Sequence, residues 1–120
     1  MDPKESFICL CITLANIDGD YDPKERELVN QIVKQYGFTE EEVEKVYREL
    51  KAVGPNKAFE FGVSAIMGAC QLEPEMRENL LKAMDQIAMA DGRINPDESK
   101  LIQTTKNMFG FISTQKMEWK

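Results

Sequence analysis

Two short acidic stretches hold most of the side chains in this chain that could do chemistry. The first runs Asp18-Gly19-Asp20-Tyr21-Asp22-Pro23-Lys24-Glu25, the second Asp91-Gly92-Arg93-Ile94-Asn95-Pro96-Asp97-Glu98. Asp18, Asp22 and Glu25 in one, with Asp91, Asn95 and Glu98 in the other, offer oxygen donors and neither nitrogen nor sulfur. Such a hard set suits calcium, magnesium or manganese, so these six are the candidate metal ligands. If the fold brings the two turns together, their carboxylates can share one ion. If it does not, each half has few ligands and binds weakly. Capping is the competing use of Asp22, Glu25, Asn95 and Glu98. A side chain just before a helix, with an acid three residues on, satisfies the free backbone N–H groups of the first turn.

Other chemistries find few participants. With no histidine, the usual zinc, haem, Ser-His and Cys-His sites lose their main member. The three cysteines are an odd number. Cys9 and Cys11, two apart on a helix, point in different directions, and with Cys70 they read as small buried apolar residues in a reducing compartment. No phosphate loop or nucleophile elbow is present. A hydrolase built on paired carboxylates would need a shielded cleft that nothing here marks. No catalytic residue is assigned, and the chain is expected not to be an enzyme.

The two acidic stretches belong to a longer internal match at a shift of 73 residues, the distance from Asp18 to Asp91. Leu14-Ala15 aligns with Ile87-Ala88, Pro23 with Pro96, Glu25 with Glu98 and Leu28-Val29 with Leu101-Ile102. Tyr36-Gly37-Phe38 meets Phe109-Gly110-Phe111, without an insertion anywhere. The match predicts two equivalent helix–turn–helix units, about 4–38 and 75–111, within one domain spanning 1–120. Gly19 and Gly92 can take the left-handed conformation that ends a helix. Tyr21 and Ile94 can drop from the turn into the core. Asp22 and Asn95 cap the next helix, where proline's missing donor costs nothing. Asp18 and Asp91 fit a purely structural reading less well, because each stands near a helix C-terminus, where the dipole disfavours an anion.

An EF-hand does not account for the pattern. With the glycines at the sixth loop position, Glu25 and Glu98 fall at the twelfth. The first and third positions are then Leu14 and Asn16, or Ile87 and Met89, and a proline sits inside each loop.

Helical spacing dominates the elements that must position these residues. A first helix, about Lys4 to Ile17, is apolar around most of its circumference and therefore central. A second starts at Asp22-Pro23, buries Leu28, Val29, Ile32, Val33 and Tyr36, and ends at Gly37. Thr39-Glu40-Glu41-Glu42 is a capping box for a third, carrying Val43, Val46, Tyr47 and Leu50, which stops at Gly54-Pro55. A fourth, about Lys57 to Leu72, carries a stripe of Ala58, Gly62, Ala65 and Ala69 beside Phe59, Val63, Ile66 and Cys70. Its glycines predict close approach of a neighbour, the first helix. Glu73-Pro74 opens a fifth with Leu80, Leu81, Met84, Ile87 and Ala88 inside. A sixth runs from Asn95-Pro96, with Leu101, Ile102, Thr105, Met108 and Phe109 inward, to Gly110. A short seventh is expected from about Ser113.

A length of 120 residues is enough to bury a core without disulfides or metal. Hydrophobic residues make up 42% and charged residues 30%, the balance of a globular chain. The net charge of -6 argues against a nucleic-acid partner, which needs a basic face. It leaves room for a cation or for a basic protein partner on the acidic surface, including Glu40–Glu44. The apolar stretch Phe7–Ile17 follows Asp2, Lys4 and Glu5 and not a basic run. It is far shorter than the roughly 20 residues that span a bilayer. A buried helix, no membrane insertion and a cytoplasmic location are expected.

The pattern Ala-x-x-Asp-Gly-x-x-x-Pro-x-Glu, fully present from Ala88 to Glu98, resembles the tellurite-resistance TerB-like family. The first copy differs from this instance in having Asn16-Ile17 before Asp18 where the second has Met89-Ala90. A similar domain occurs in DnaJ-like membrane co-chaperones, whose J-domain and membrane helix are not expected here. The resemblance implies an all-α compact bundle of about seven helices with pseudo-symmetry. It also implies a link to tellurite resistance and stress response, with a role in metal binding or in assembling membrane-associated complexes. The reading is a non-enzymatic module that binds divalent cations through its Asp-Gly turns. The alternative is an acidic module docking to a basic partner without metal.

Overall fold

The computed structural model describes residues 2–16, 23–53, 58–90 and 96–118, with side chains described for 2–16, 23–53, 60–90 and 96–111. The elements are α1 (Pro3–Ala15), α2 (Pro23–Lys34), α3 (Glu40–Val53), α4 (Ala58–Ala69), α5 (Pro74–Met89) and α6 (Pro96–Glu118). No strand occurs among the described residues.

Asp2 starts α1 by accepting the Lys4 N–H at 2.8 Å, and Pro3 takes the first position. Phe7, Ile8, Cys9, Leu10, Cys11, Ile12 and Leu14 are all buried, so every side of the helix is covered. A helix apolar all round has to lie in the middle. It does: α2, α3, α4 and α5 all pack on α1, and α4 is its most extensive neighbour. Both cysteines on α1 are inside because all directions there are inside.

The amphipathic helices turn one face to this centre. Val29, Ile32 and Val33 do so from α2, Val43 and Val46 from α3, and Ala65, Ile66 and Ala69 from α4. Gly37, at φ 91°, ends α2. The Gly37 N–H bonds to Lys34 O and the Phe38 N–H to Val33 O, both at 3.2 Å, a paired closure that satisfies the last carbonyls of the helix. Phe38 then drops against Phe7, with ring centroids 4.8 Å apart. The capping box at Thr39 forms as its residue types require. Glu42 Oε1 accepts the Thr39 N–H, and Thr39 Oγ1 accepts the Glu42 N–H.

On α5, Leu80, Ala83, Met84, Ile87 and Ala88 are buried, and so is Arg77, only 7% exposed. Its guanidinium donates to Leu72 O at 2.9 Å, approaches Cys70 O at 3.5 Å, and lies 5.9 Å from the centre of the Phe109 ring. One buried cation thus caps the chain leaving α4 and meets α6. Helix α6 packs on α5 and buries Ile102, Thr105 and Phe109.

Three expectations are corrected. The described residues hold six helices and not seven, because α6 runs through Gly110 to Glu118. Gly110 does not take the positive φ that ends α2 at Gly37. The devices that support that break are missing here: Lys106 replaces Val33 as the apolar partner, and Ile112 replaces the capping Thr39. A helical glycine alone costs about 1 kcal/mol, too little to stop a helix. Next, no close approach occurs at Gly62, where an added Cβ would meet nothing within 4 Å. Finally, Val63 is exposed and not part of an inner stripe.

Candidate functional site

Glu25 is the third residue of α2, and Glu98 is the third residue of α6. That position faces back toward the helix start, where free N–H groups and the positive end of the dipole favour a carboxylate. Both side chains turn inward. Glu98 is only 5% exposed, and Glu25 Oε2 is enclosed by protein. Both carboxylates take part in interactions within the protein.

The two meet at one place. A small cleft is lined by Leu14 and Ala15 at the end of α1, Ile87 near the end of α5, Leu28 on α2, and Glu25 with Glu98. Four of these six are repeat partners: Leu14 with Ile87, and Glu25 with Glu98. The cleft holds about 10 Å³, the scale of a single water molecule and far below a substrate pocket. Burying a charged carboxylate is costly unless it is paired, hydrogen-bonded or bound to a cation. The two carboxylates that line this apolar-walled cleft meet that demand through interactions within the protein.

Asp18, Asp22, Asp91 and Asn95, with the turn residues Tyr21 and Ile94, lie outside the described residues. Among the described residues, no group of three or more His, Cys, Asp or Glu is placed to hold a metal ion. The residues the sequence marks only as core, Leu14, Ala15, Leu28 and Ile87, wall the cleft. Their signal was their place in the repeat, flanking the acidic turns on both sides.

The cysteines behave as core. Burial pushes the Cys9 thiol up to about 12, against a smaller lowering by its hydrogen bond with Thr13, and pushes Cys11 up further. Burial also raises Cys70, partly opposed by the nearby charge of Arg77. No helix among the described residues is long and apolar enough to cross a membrane.

The acidic face of α3 is partly committed. Glu42 closes the capping box, and Glu44 pairs with Arg26, whose guanidinium also lies 4.8 Å from the centre of the Tyr47 ring. Glu40 and Glu41 remain exposed.

An all-helical bundle whose repeat-related helix starts share one acidic cleft defines the structural class. Compared with known families, residues 4–118 match the model of the tellurite resistance protein TerB, and the chain belongs to that family. No curated protein and no solved structure gives a significant match.

Proposed function

We propose that this TerB-family chain is a non-enzymatic module of the tellurite-resistance and stress setting that takes up a divalent cation between its two acidic turns. Asp18, Asp22 and Glu25 supply oxygen ligands from one turn, and Asp91, Asn95 and Glu98 from the other. The observation that carries the reading is the shared cleft: Glu25 and Glu98, 73 residues apart, line the same small space. Two helix caps need not face each other, whereas two halves of one ligand set must. All-oxygen donors select calcium, magnesium or manganese over zinc or copper.

Calorimetric titration of the whole chain with each of the three ions tests it. Saturable heat is expected with at least one of them, together with a raised melting temperature. At about 100 times the dissociation constant the fold gains roughly 2.7 kcal/mol. Absence of both heat and melting shift at millimolar concentrations of all three ions would overturn it.

A second reading, docking of a basic protein on the acidic surface, draws on the exposed Glu40 and Glu41. Its signature is salt-sensitive association, since exposed charges are screened within about 10 Å at 0.1 M salt. Glu40→Gln with Glu41→Gln should weaken such binding at little cost in stability. Glu42 is unsuitable for this test because it caps α3.

A further inference from the structure

The start of α5 and the middle of α6 border an open hollow of about 630 Å³, lined in part by Glu75, Arg77, Glu78, Leu81, Lys106 and Phe109. It lies at the other end of α5 from the cleft of Glu25 and Glu98. Arg77 in its wall is buried, and no carboxylate among the described residues pairs with it. Its Nη1 donates to Leu72 O and approaches Cys70 O. Nε and Nη2 meet no acceptor among the described residues, yet neither atom is sealed from solvent. That edge of a guanidinium presents two parallel N–H groups, the shape that takes both oxygens of a carboxylate. A buried cation without a counter-charge is costly, and a bound anion offsets that cost.

The helix start beside Arg77 is open as well. α5 begins at Pro74, and the side chain of Glu73 does not cap it. Its first N–H groups therefore lack the carboxylate that a helix start favours. The first unit shows the filled alternative. A hollow of about 600 Å³ there is lined by Asp2, Lys4 and Tyr36, the repeat partners of Glu75, Arg77 and Phe109. Asp2 supplies its own carboxylate to α1, accepting the Lys4 N–H at 2.8 Å, and the Lys4 side chain is exposed. The second unit has a buried guanidinium in the place of Lys4 and no capping carboxylate.

We propose that the α5–α6 hollow binds a small monocarboxylate with an apolar body. The carboxylate sits on the free edge of Arg77, with the Lys106 ammonium beside it, and the body lies against Leu81 and Phe109. Glu75 and Glu78 on the rim fix the charge of the guest. Two cations facing two carboxylates accept a singly charged head and repel a dianion such as phosphate.

NMR of the whole chain, following the Arg77 Nε–H signal, tests the site with phenylacetate as the probe. A saturable shift is expected. Acetate, without the apolar body, and inorganic phosphate should bind several-fold more weakly, and phenylacetamide, without the charge, should leave the signal in place. Two variants at exposed positions keep the Arg77 cap intact. Glu78→Gln removes a repelling carboxylate and should tighten phenylacetate binding several-fold, a gain that a purely structural arginine does not produce. Lys106→Gln should weaken it several-fold. The proposal is overturned by no saturable shift at millimolar phenylacetate, by an equal shift with phenylacetamide, by tighter binding of phosphate, or by unchanged affinity in either variant.

Discussion

Glu25 and Glu98 stand at the same place on two helices, the third residue of α2 and of α6, and line one cleft at the ends of α1 and α5. The relation follows from the packing. α1 and α5 lie side by side, α2 packs on both, and α6 packs on α5, so the starts of α2 and α6 come to the same end of that pair. Neighbouring positions keep the same pattern across the repeat. Leu14 and Ile87 are buried, Asn16 and Met89 exposed, Val29 and Ile102 buried, and Ile32 and Thr105 buried.

Gly37 and Gly110 are repeat partners with opposite responses to alanine. Gly37→Ala forces a side chain into positive φ and should cost about 1–2 kcal/mol. Gly110→Ala stays helical with open space around its Cβ and should gain up to about 1 kcal/mol. Urea unfolding of the two variants reads both signs, and a like sign would contradict this account of α6.

Arg77 contributes more to stability than an exposed arginine would. Arg77→Met removes the donor to Leu72 O and the cation beside Phe109, and should cost about 2–3 kcal/mol. Arg77→Lys should recover only part, because an ammonium cannot reach two carbonyls with a planar fork. A shift in urea midpoint at unchanged slope is the expected record. A loss under about 0.5 kcal/mol would show that this arginine is not a structural cap.

The buried thiols set an alkaline limit. Cys9 and Cys11 are raised above their ordinary value of 9.0 by burial, so the folded chain holds their protons more tightly than the unfolded one. Their contribution is complete below about pH 9 and is lost as pH rises toward 12, at up to about 1.4 kcal/mol per pH unit per thiol. A thiol reagent at pH 8 should label half-buried Cys70 first and reach Cys9 and Cys11 only on unfolding. Labelling of all three at equal rates in the folded chain would contradict the packing of α1.

Much of this fold can be read from residue types. Thr39 with Glu42 and Glu73-Pro74 announce helix starts because their physics is local. The all-round apolar run of α1 announces its central place. Arg77 was harder to see, since a lone arginine in Pro74-Glu75-Met76-Arg77-Glu78 reads as solvated. Its spacing with Leu80 and Met84 puts it on the buried stripe, but the carbonyls that pair it come from the chain beyond α4. The course of α6 was masked by the likeness of Tyr36-Gly37-Phe38 to Phe109-Gly110-Phe111. What differs is tertiary support, Val33 against Lys106 and Thr39 against Ile112. The convergence of Glu25 and Glu98 was only conditional in the sequence, because no local pattern encodes how α2 and α6 sit across α1 and α5.

A double-mutant cycle in cation binding tests the shared site most directly. Glu25→Gln, Glu98→Gln and the double variant are each titrated with the ion that the native chain binds best. Two ligands of one ion should each cost affinity and couple strongly, so the double variant loses far less than the sum of the single losses. Independent, additive losses would place the two glutamates at separate ions, and native-like affinity in all three variants would remove both from the site.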